Sequence, residues 1–95
     1  MAAVELANTA VEDLNRLIVT HSLPTDTRQR VRATLAPLVE FPRLGPELPN
    51  RWTGMRFVLG PWRWMILVYI HDESSDRVVV VSIHDARSSR SPTMR

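Results

Sequence analysis

Four side chains in the C-terminal half of the sequence have the types and spacing for phosphate chemistry: Arg56, Arg63, His84 and Arg87. A guanidinium takes a phosphate through paired N–H donors and keeps its charge at any accessible pH. An imidazole gives and takes protons near neutrality. Read as strands, residues 55–59 and 62–70 put Arg56 and Arg63 on one sheet face, provided Gly60-Pro61 is a two-residue turn. If Val79, Val81 and Ile83 of the next strand face the core, His84 points to the same side, with Arg87 just past the strand end. A merely solvated sheet face would carry similar residues, so the pattern suggests a phosphate site without requiring one.

The missing residue types narrow the chemistry further. All twelve Lys+Arg are arginine. Arginine holds phosphate but is not a general base in proteins. Proton transfer would therefore fall to His84, a carboxylate, Tyr69, or a group on the target. The sequence pI of about 10.4 reflects the absence of Lys and Cys as much as a basic surface. Residues 1–50 carry five Arg against six Asp+Glu, whereas residues 51–95 carry seven against four, so the positive charge lies with the candidate site.

Other chemistries are excluded or weak. With no cysteine there is neither a disulfide framework nor a thiolate metal site. His21, His71 and His84 have no metal-ligand spacing, and HExxH, GxSxG and glycine-rich phosphate loops are absent, so no metal or cofactor is expected. Trp62-Arg63-Trp64 has the aromatic and basic mixture of single-strand nucleic-acid binders, although both tryptophans fall on the expected core face. Glu12-Asp13 and Asp72-Glu73 read as solvated charges, the first pair at a helix start.

The elements that must position these residues follow from periodicity. Val11, Leu14, Leu17 and Ile18 predict a helix over 9–21, with Thr9 and Glu12 as a capping box. Val31, Leu35, Leu38 and Val39 predict a second helix over about 26–40, kinked or ended early by Pro37. A short polar turn joins the two into a hairpin, and residues 42–50, with three prolines, form a crossing loop. Val4-Glu5-Leu6 alternates and could add an N-terminal strand. Trp62, Trp64, Ile66, Val68 and Ile70 are expected to face the helices. The expected class is α+β: an N-terminal helical hairpin packed on one face of a small antiparallel sheet, as a single domain over 1–87, with a flexible Ser/Arg-rich tail at 88–95. Residues 1–13 have no basic start, and the apolar run Met65–Ile70 is far shorter than a membrane span, so a cytoplasmic protein with no membrane contact is expected.

The order of elements and several strings resemble the RelE/ParE superfamily of bacterial type II toxins over about residues 4–87. These strings are Ala10-Val11-Glu12-Asp13-Leu14, Phe41-Pro42-Arg43-Leu44-Gly45, Gly54-Met55-Arg56, Gly60-Pro61-Trp62-Arg63, Val68-Tyr69-Ile70 and Val81-Ser82-Ile83-His84-Asp85-Ala86-Arg87. The resemblance implies a toxin paired with a cognate antitoxin, in a toxin–antitoxin hetero-oligomer. RelE-like members cleave mRNA in the ribosomal A site with the RNA 2′-hydroxyl as nucleophile and no metal. ParE-like members inhibit DNA gyrase as binding proteins without nuclease activity. By the resemblance, Arg63 and Arg87 match the family's strand arginine and the arginine after the last strand. Arg56 stands where RelE-like members have a lysine, Gly54 stands at a second such position, and the C-terminal tyrosine has no counterpart. The RelE-like reading takes Arg63, Arg87 and His84 as catalytic, with Arg56, Arg63 and Arg87 binding nucleic acid. The alternative is a ParE-like gyrase inhibitor.

Overall fold

A computed structural model describes residues 1–87; the tail expected at 88–95 lies outside the described residues. The chain runs through β1 (Ala3–Leu6), α1 (Asn8–Thr20), α2 (Thr27–Leu35), a 3₁₀ turn (Ala36–Val39), a second 3₁₀ turn (Asn50–Trp52), β2 (Arg56–Leu59), β3 (Met65–Asp72) and β4 (Arg77–Asp85). The four strands form one sheet in the order β1-β4-β3-β2. The hairpin β2–β3–β4 is antiparallel, but β1 pairs parallel with β4, Ala3 opposite Arg77 and Leu6 opposite Val80. The sheet is therefore mixed: the first strand returns along the last, and the helices α1 and α2 intervene in the chain, as a parallel pairing requires a long connection.

The expected helical hairpin forms, with two local differences. The α1 helix starts at Asn8, so Thr9 lies inside the first turn and is not a cap. Its hydroxyl instead donates to the Val81 carbonyl at 2.6 Å, tying the helix to β4. The α2 helix stops at Leu35, before Pro37. Proline has no N–H to continue the ladder, and the Ala36 N–H turns to the Ala33 carbonyl to open the 3₁₀ turn. Among the described residues, no helix is long and apolar enough to cross a membrane.

The larger difference concerns the sheet faces. The helix-facing core contains Ala10, Leu14, Val31, Leu35 and Leu38 against Met65, Leu67, Tyr69, Val78, Val80 and Ile83. Ile66 and Val68, expected on that side, face away and pack with Leu48 beneath the loop residues Trp52 and Met55. The two-residue turn is replaced by the five-residue loop Gly60–Trp64, and Leu59 pairs with Ile66 rather than Trp62. This step of four residues is even and keeps Phe57 and Leu59 on the face of Ile66 and Val68, but that face is covered by Leu48, Trp52 and Met55 instead of the helices. Both faces of β3 are covered, so Met65–Tyr69 is wholly buried and shows no alternation. A bulge opposite Val68/Tyr69 leaves Val81 unpaired and shifts the parity of β4. Val78 and Val80 consequently share the helix side with Ile83, where Val79 and Val81 were expected.

Candidate functional site

The residues of interest collect where the Gly60–Trp64 loop meets the end of β4. The loop is anchored by its backbone: Gly60 N–H donates to Met65 C=O at 2.8 Å, Met65 N–H to Trp62 C=O at 3.0 Å, and Ala86 N–H to Trp64 C=O at 2.6 Å. Trp62 and Trp64 leave the strand alternation at this loop and pack against the helix-side core. They lie stacked, with centroids 6.0 Å apart and planes 15° from parallel. His21, at the end of α1, stacks on Trp64 at 4.7 Å and 11°. Arg30 of α2 lies 5.9 Å from the Trp62 ring, and the Arg87 guanidinium 5.4 Å from the Trp64 ring. The tryptophans thus have the packing role, and the cations gather on that packed aromatic surface.

Asp85 links these parts. Its carboxylate accepts Arg87 Nε and Nη2, each at 3.1 Å, and the Arg87 backbone N–H at 2.9 Å. It also accepts His21 Nε2 at 3.0 Å. Hydrogen bonding from Arg87 is the main reason its carboxyl is held down at about 2, with His21 contributing as well. An ionised carboxylate has no hydrogen to offer, so Nε2 carries the hydrogen in the His21–Asp85 bond. Arg87 is correspondingly raised by Asp85, and its side chain stays 65% exposed.

Arg63 projects from the loop between the tryptophans, is exposed, and makes no side-chain hydrogen bond or ion pair among the described residues. His84 lies at the same end of the sheet, opposite Ile66, but on the face turned away from the helices. Its Nε2 is 2.9 Å from Ser82 Oγ, and its ring meets Trp52 edge-on at 5.4 Å. Burial holds the His84 imidazole below its ordinary value, which favours the neutral ring at neutral pH.

Arg56 is placed elsewhere, which corrects the expectation of one shared face. It stands opposite Tyr69, four residues along β3 from Met65, the partner of Asp85. At about 3.3 Å per residue, this is roughly 13 Å along the strand. Its guanidinium donates to the Gly45 carbonyl at 2.8 Å and pairs with Glu47 at 3.2 Å. Tyr69, considered for proton transfer, is fully buried and accepts the Gly45 N–H at 2.9 Å. Burial raises its pKa, and it lies within the core. The other carboxylate pairs divide: Asp13 accepts the Ile83 N–H at 3.1 Å and is structural, while Glu73 pairs with Arg43 at the surface.

Arg63 and Arg87 thus flank Trp64 at one end of the sheet, His84 lies at the same end on the face turned away from the helices, and Arg56 stands apart. Sequence reasoning missed His21 and Asp85. The spacing Asp85-x-Arg87 was a usable signal, because an Asp readily pairs with donors two residues on. Nothing local marked His21, whose partner is 64 positions away. Among the described residues, no three His, Cys, Asp or Glu side chains converge to hold a metal ion.

No protein-family model matches the chain, and no curated protein matches it. Solved structures do. A chain of the Escherichia coli RelBE toxin–antitoxin complex matches with a TM-score of 0.67 and 16% identity, covering 93% of this chain and 100% of that one. The RelBE2 toxin–antitoxin complex of Mycobacterium tuberculosis gives a TM-score of 0.61 and 23% identity over 88% of this chain and 96% of that one. The chromosomal ParDE system of Pseudomonas aeruginosa gives 0.68 and 15% over 92% and 98%. All three comparisons span nearly the whole of both chains at TM-scores above 0.6: the chain has the fold of the RelE/ParE superfamily toxins.

Proposed function

We propose that the chain is the toxin of a toxin–antitoxin pair, acting in the cytoplasm by ribosome-dependent mRNA cleavage and held inactive by a cognate antitoxin in a hetero-oligomer. The observation that carries this reading is the placement of Arg63 and Arg87 about Trp64 at one end of a sheet of this fold. Two guanidinium groups at a loop and an adjoining strand end suit a phosphate whose charge grows during reaction. In the reaction, the RNA 2′-oxygen forms a bond to the neighbouring phosphorus while the bond to the 5′-oxygen breaks. A proton leaves the 2′-hydroxyl and another reaches the departing 5′-oxygen. His84, favoured in its neutral form by burial, accepts the first; water or the ribosome supplies the second. Arg56, committed to Gly45 and Glu47, supports the fold around the site more than the RNA.

The test is addition of the purified protein to ribosomes programmed with mRNA. Cleavage at the A-site codon, strongly reduced but still measurable in Arg63→Ala and Arg87→Ala, is the expected result; intact mRNA at high protein concentration removes the nuclease reading.

Two observations favour a second reading. Glycine at position 54, where the resemblance puts a lysine, leaves one group fewer for RNA chemistry, and the likeness to the ParDE structure is as good as that to RelBE. A ParE-like inhibitor of DNA gyrase would act by binding alone. Inhibition of gyrase supercoiling by the purified protein, with mRNA left intact on ribosomes, would establish that alternative.

A further inference from the structure

Asp85, His21, Trp64 and Arg87 form a closed ring of contacts. Asp85 holds Arg87 through Nε and Nη2, Arg87 lies over Trp64, Trp64 stacks on His21, and His21 returns to Asp85. A guanidinium has five N–H donors. Asp85 takes one on Nε and one on Nη2, along one side of the plane. Three donors remain, and two of them, one on each terminal nitrogen, make the second fork at the end of the side chain. A phosphate can be gripped there bidentately while Asp85 stays in place. The Asp85 side chain is only 17% exposed, whereas that of Arg87 is 65% exposed. The anchor is inside and the open fork outside.

We propose that Asp85 is a positioning residue that orients Arg87 end-on toward the RNA phosphate, with His21 fixing Asp85 from the helical hairpin. This rests on the reading of Arg87 as a phosphate-binding group. An arginine that turns freely on an exposed stem must be ordered when the substrate binds. One already locked against a carboxylate and an indole has lost that freedom beforehand. The consequence is kinetic: Asp85 acts on the chemical step through the direction of Arg87 and contributes little to capture of the programmed ribosome.

The experiment compares mRNA cleavage on programmed ribosomes by the native protein, Asp85→Ala, Arg87→Ala and the double variant, with kcat and KM measured separately. Asp85→Ala is expected to lower kcat about 10- to 100-fold with KM changed less than threefold. In the Arg87→Ala background the same change is expected to have no further effect. Asp85→Asn, which keeps an acceptor oxygen of the same shape, is expected to recover part of the loss, and it carries the test should Asp85→Ala fail to fold. Tryptophan near-ultraviolet circular dichroism checks folding in each variant. Native kcat in both Asp85 variants, or a further loss when Asp85→Ala is added to Arg87→Ala, would overturn the proposal while leaving Arg87 in the site. Full activity of Arg87→Ala would instead overturn the functional reading of Arg87, and the proposal with it.

Discussion

Tyr69 and Arg56 stand opposite each other across the β2–β3 ladder and hold the two backbone groups of one residue. The Gly45 N–H donates to Tyr69 Oη at 2.9 Å, and the Gly45 C=O accepts from Arg56 Nη1 at 2.8 Å. Gly45 is buried, so these bonds satisfy groups that would otherwise lose water without replacement. Two residues that a sequence reader could assign to chemistry thus serve to fasten the crossing loop to the sheet.

Tyr69→Phe removes the atom that accepts the Gly45 N–H and keeps the ring. Leaving a buried donor unpaired costs about 1–3 kcal/mol. Urea unfolding is expected to show that loss, with no effect on growth arrest beyond what reduced stability explains.

Gly45→Ala tests the same contact from the other side. A methyl at this position would fall well inside contact distance of the Phe57 carbonyl oxygen and close to Tyr69 Oη. Overpacking costs about 1–3 kcal/mol where side chains can adjust, and more against fixed backbone. The expected result is a lower urea midpoint than that of Tyr69→Phe; an equal or higher midpoint would show that the loop moves aside freely.

The comparison of sequence and structure divides along a physical line. The helical hairpin was legible because Leu14, Leu17, Val31 and Leu35 recur at helical spacing beside polar neighbours. The direction of the sheet faces was not. Met65–Tyr69 is apolar at every position because both faces are buried, so no alternation exists to be read. Nothing in that run says which face meets the helices; the longer β2–β3 connection moved the register by an even four residues, whereas one bulge reversed the parity of β4. The candidate site was legible in the same measure. Arg63 and Arg87 were named by residue type and position, whereas Asp85 and His21 meet only after the chain closes over 64 positions.

The position of His84 predicts a pH profile. Burial holds its folded pKa below the ordinary value of 6.5. A general base works when deprotonated, so kcat is expected to rise through a midpoint below pH 6.5 and to be level near neutrality. The unfolded chain binds this proton more readily, so the protein also loses stability as pH falls from about 6.5 toward the folded value. In His84→Gln both dependences are expected to disappear. A profile that keeps its midpoint in this variant would assign the proton to another group.

Asp85 has the opposite interest at acid pH. Its carboxyl is held at about 2 against an ordinary 3.8, chiefly by hydrogen bonds from Arg87. The folded state therefore keeps this charge where the unfolded chain has begun to take a proton. Its contribution is complete above about pH 4 to 5 and is lost as pH falls from 3.8 toward 2. Asp85→Asn is expected to be less stable at neutrality and to show a shallower decline over that window. Asp72 is also lowered, but by Ser74 and Ser75 within its own turn, and the Asp85 variant leaves those bonds in place.

Arg63 and Arg56 give the sharpest separation of function from stability. Both are arginines near the sheet, and both are candidates for nucleic-acid binding by sequence. Arg63 is exposed and makes no side-chain bond among the described residues, so Arg63→Ala should change unfolding free energy by less than about 0.5 kcal/mol. It should nevertheless abolish growth arrest if the residue meets a phosphate. Arg56 is half-buried against Gly45 and Glu47, so Arg56→Ala should lower the urea midpoint measurably and weaken growth arrest only in proportion. Growth curves without antitoxin and urea melts of the two proteins decide the matter together. A stable, fully toxic Arg63→Ala removes that residue from the site. A stable, non-toxic Arg56→Ala moves the nucleic-acid path to the other end of the sheet, where Arg43 and His71 line a cavity of about 340 Å³ beside it.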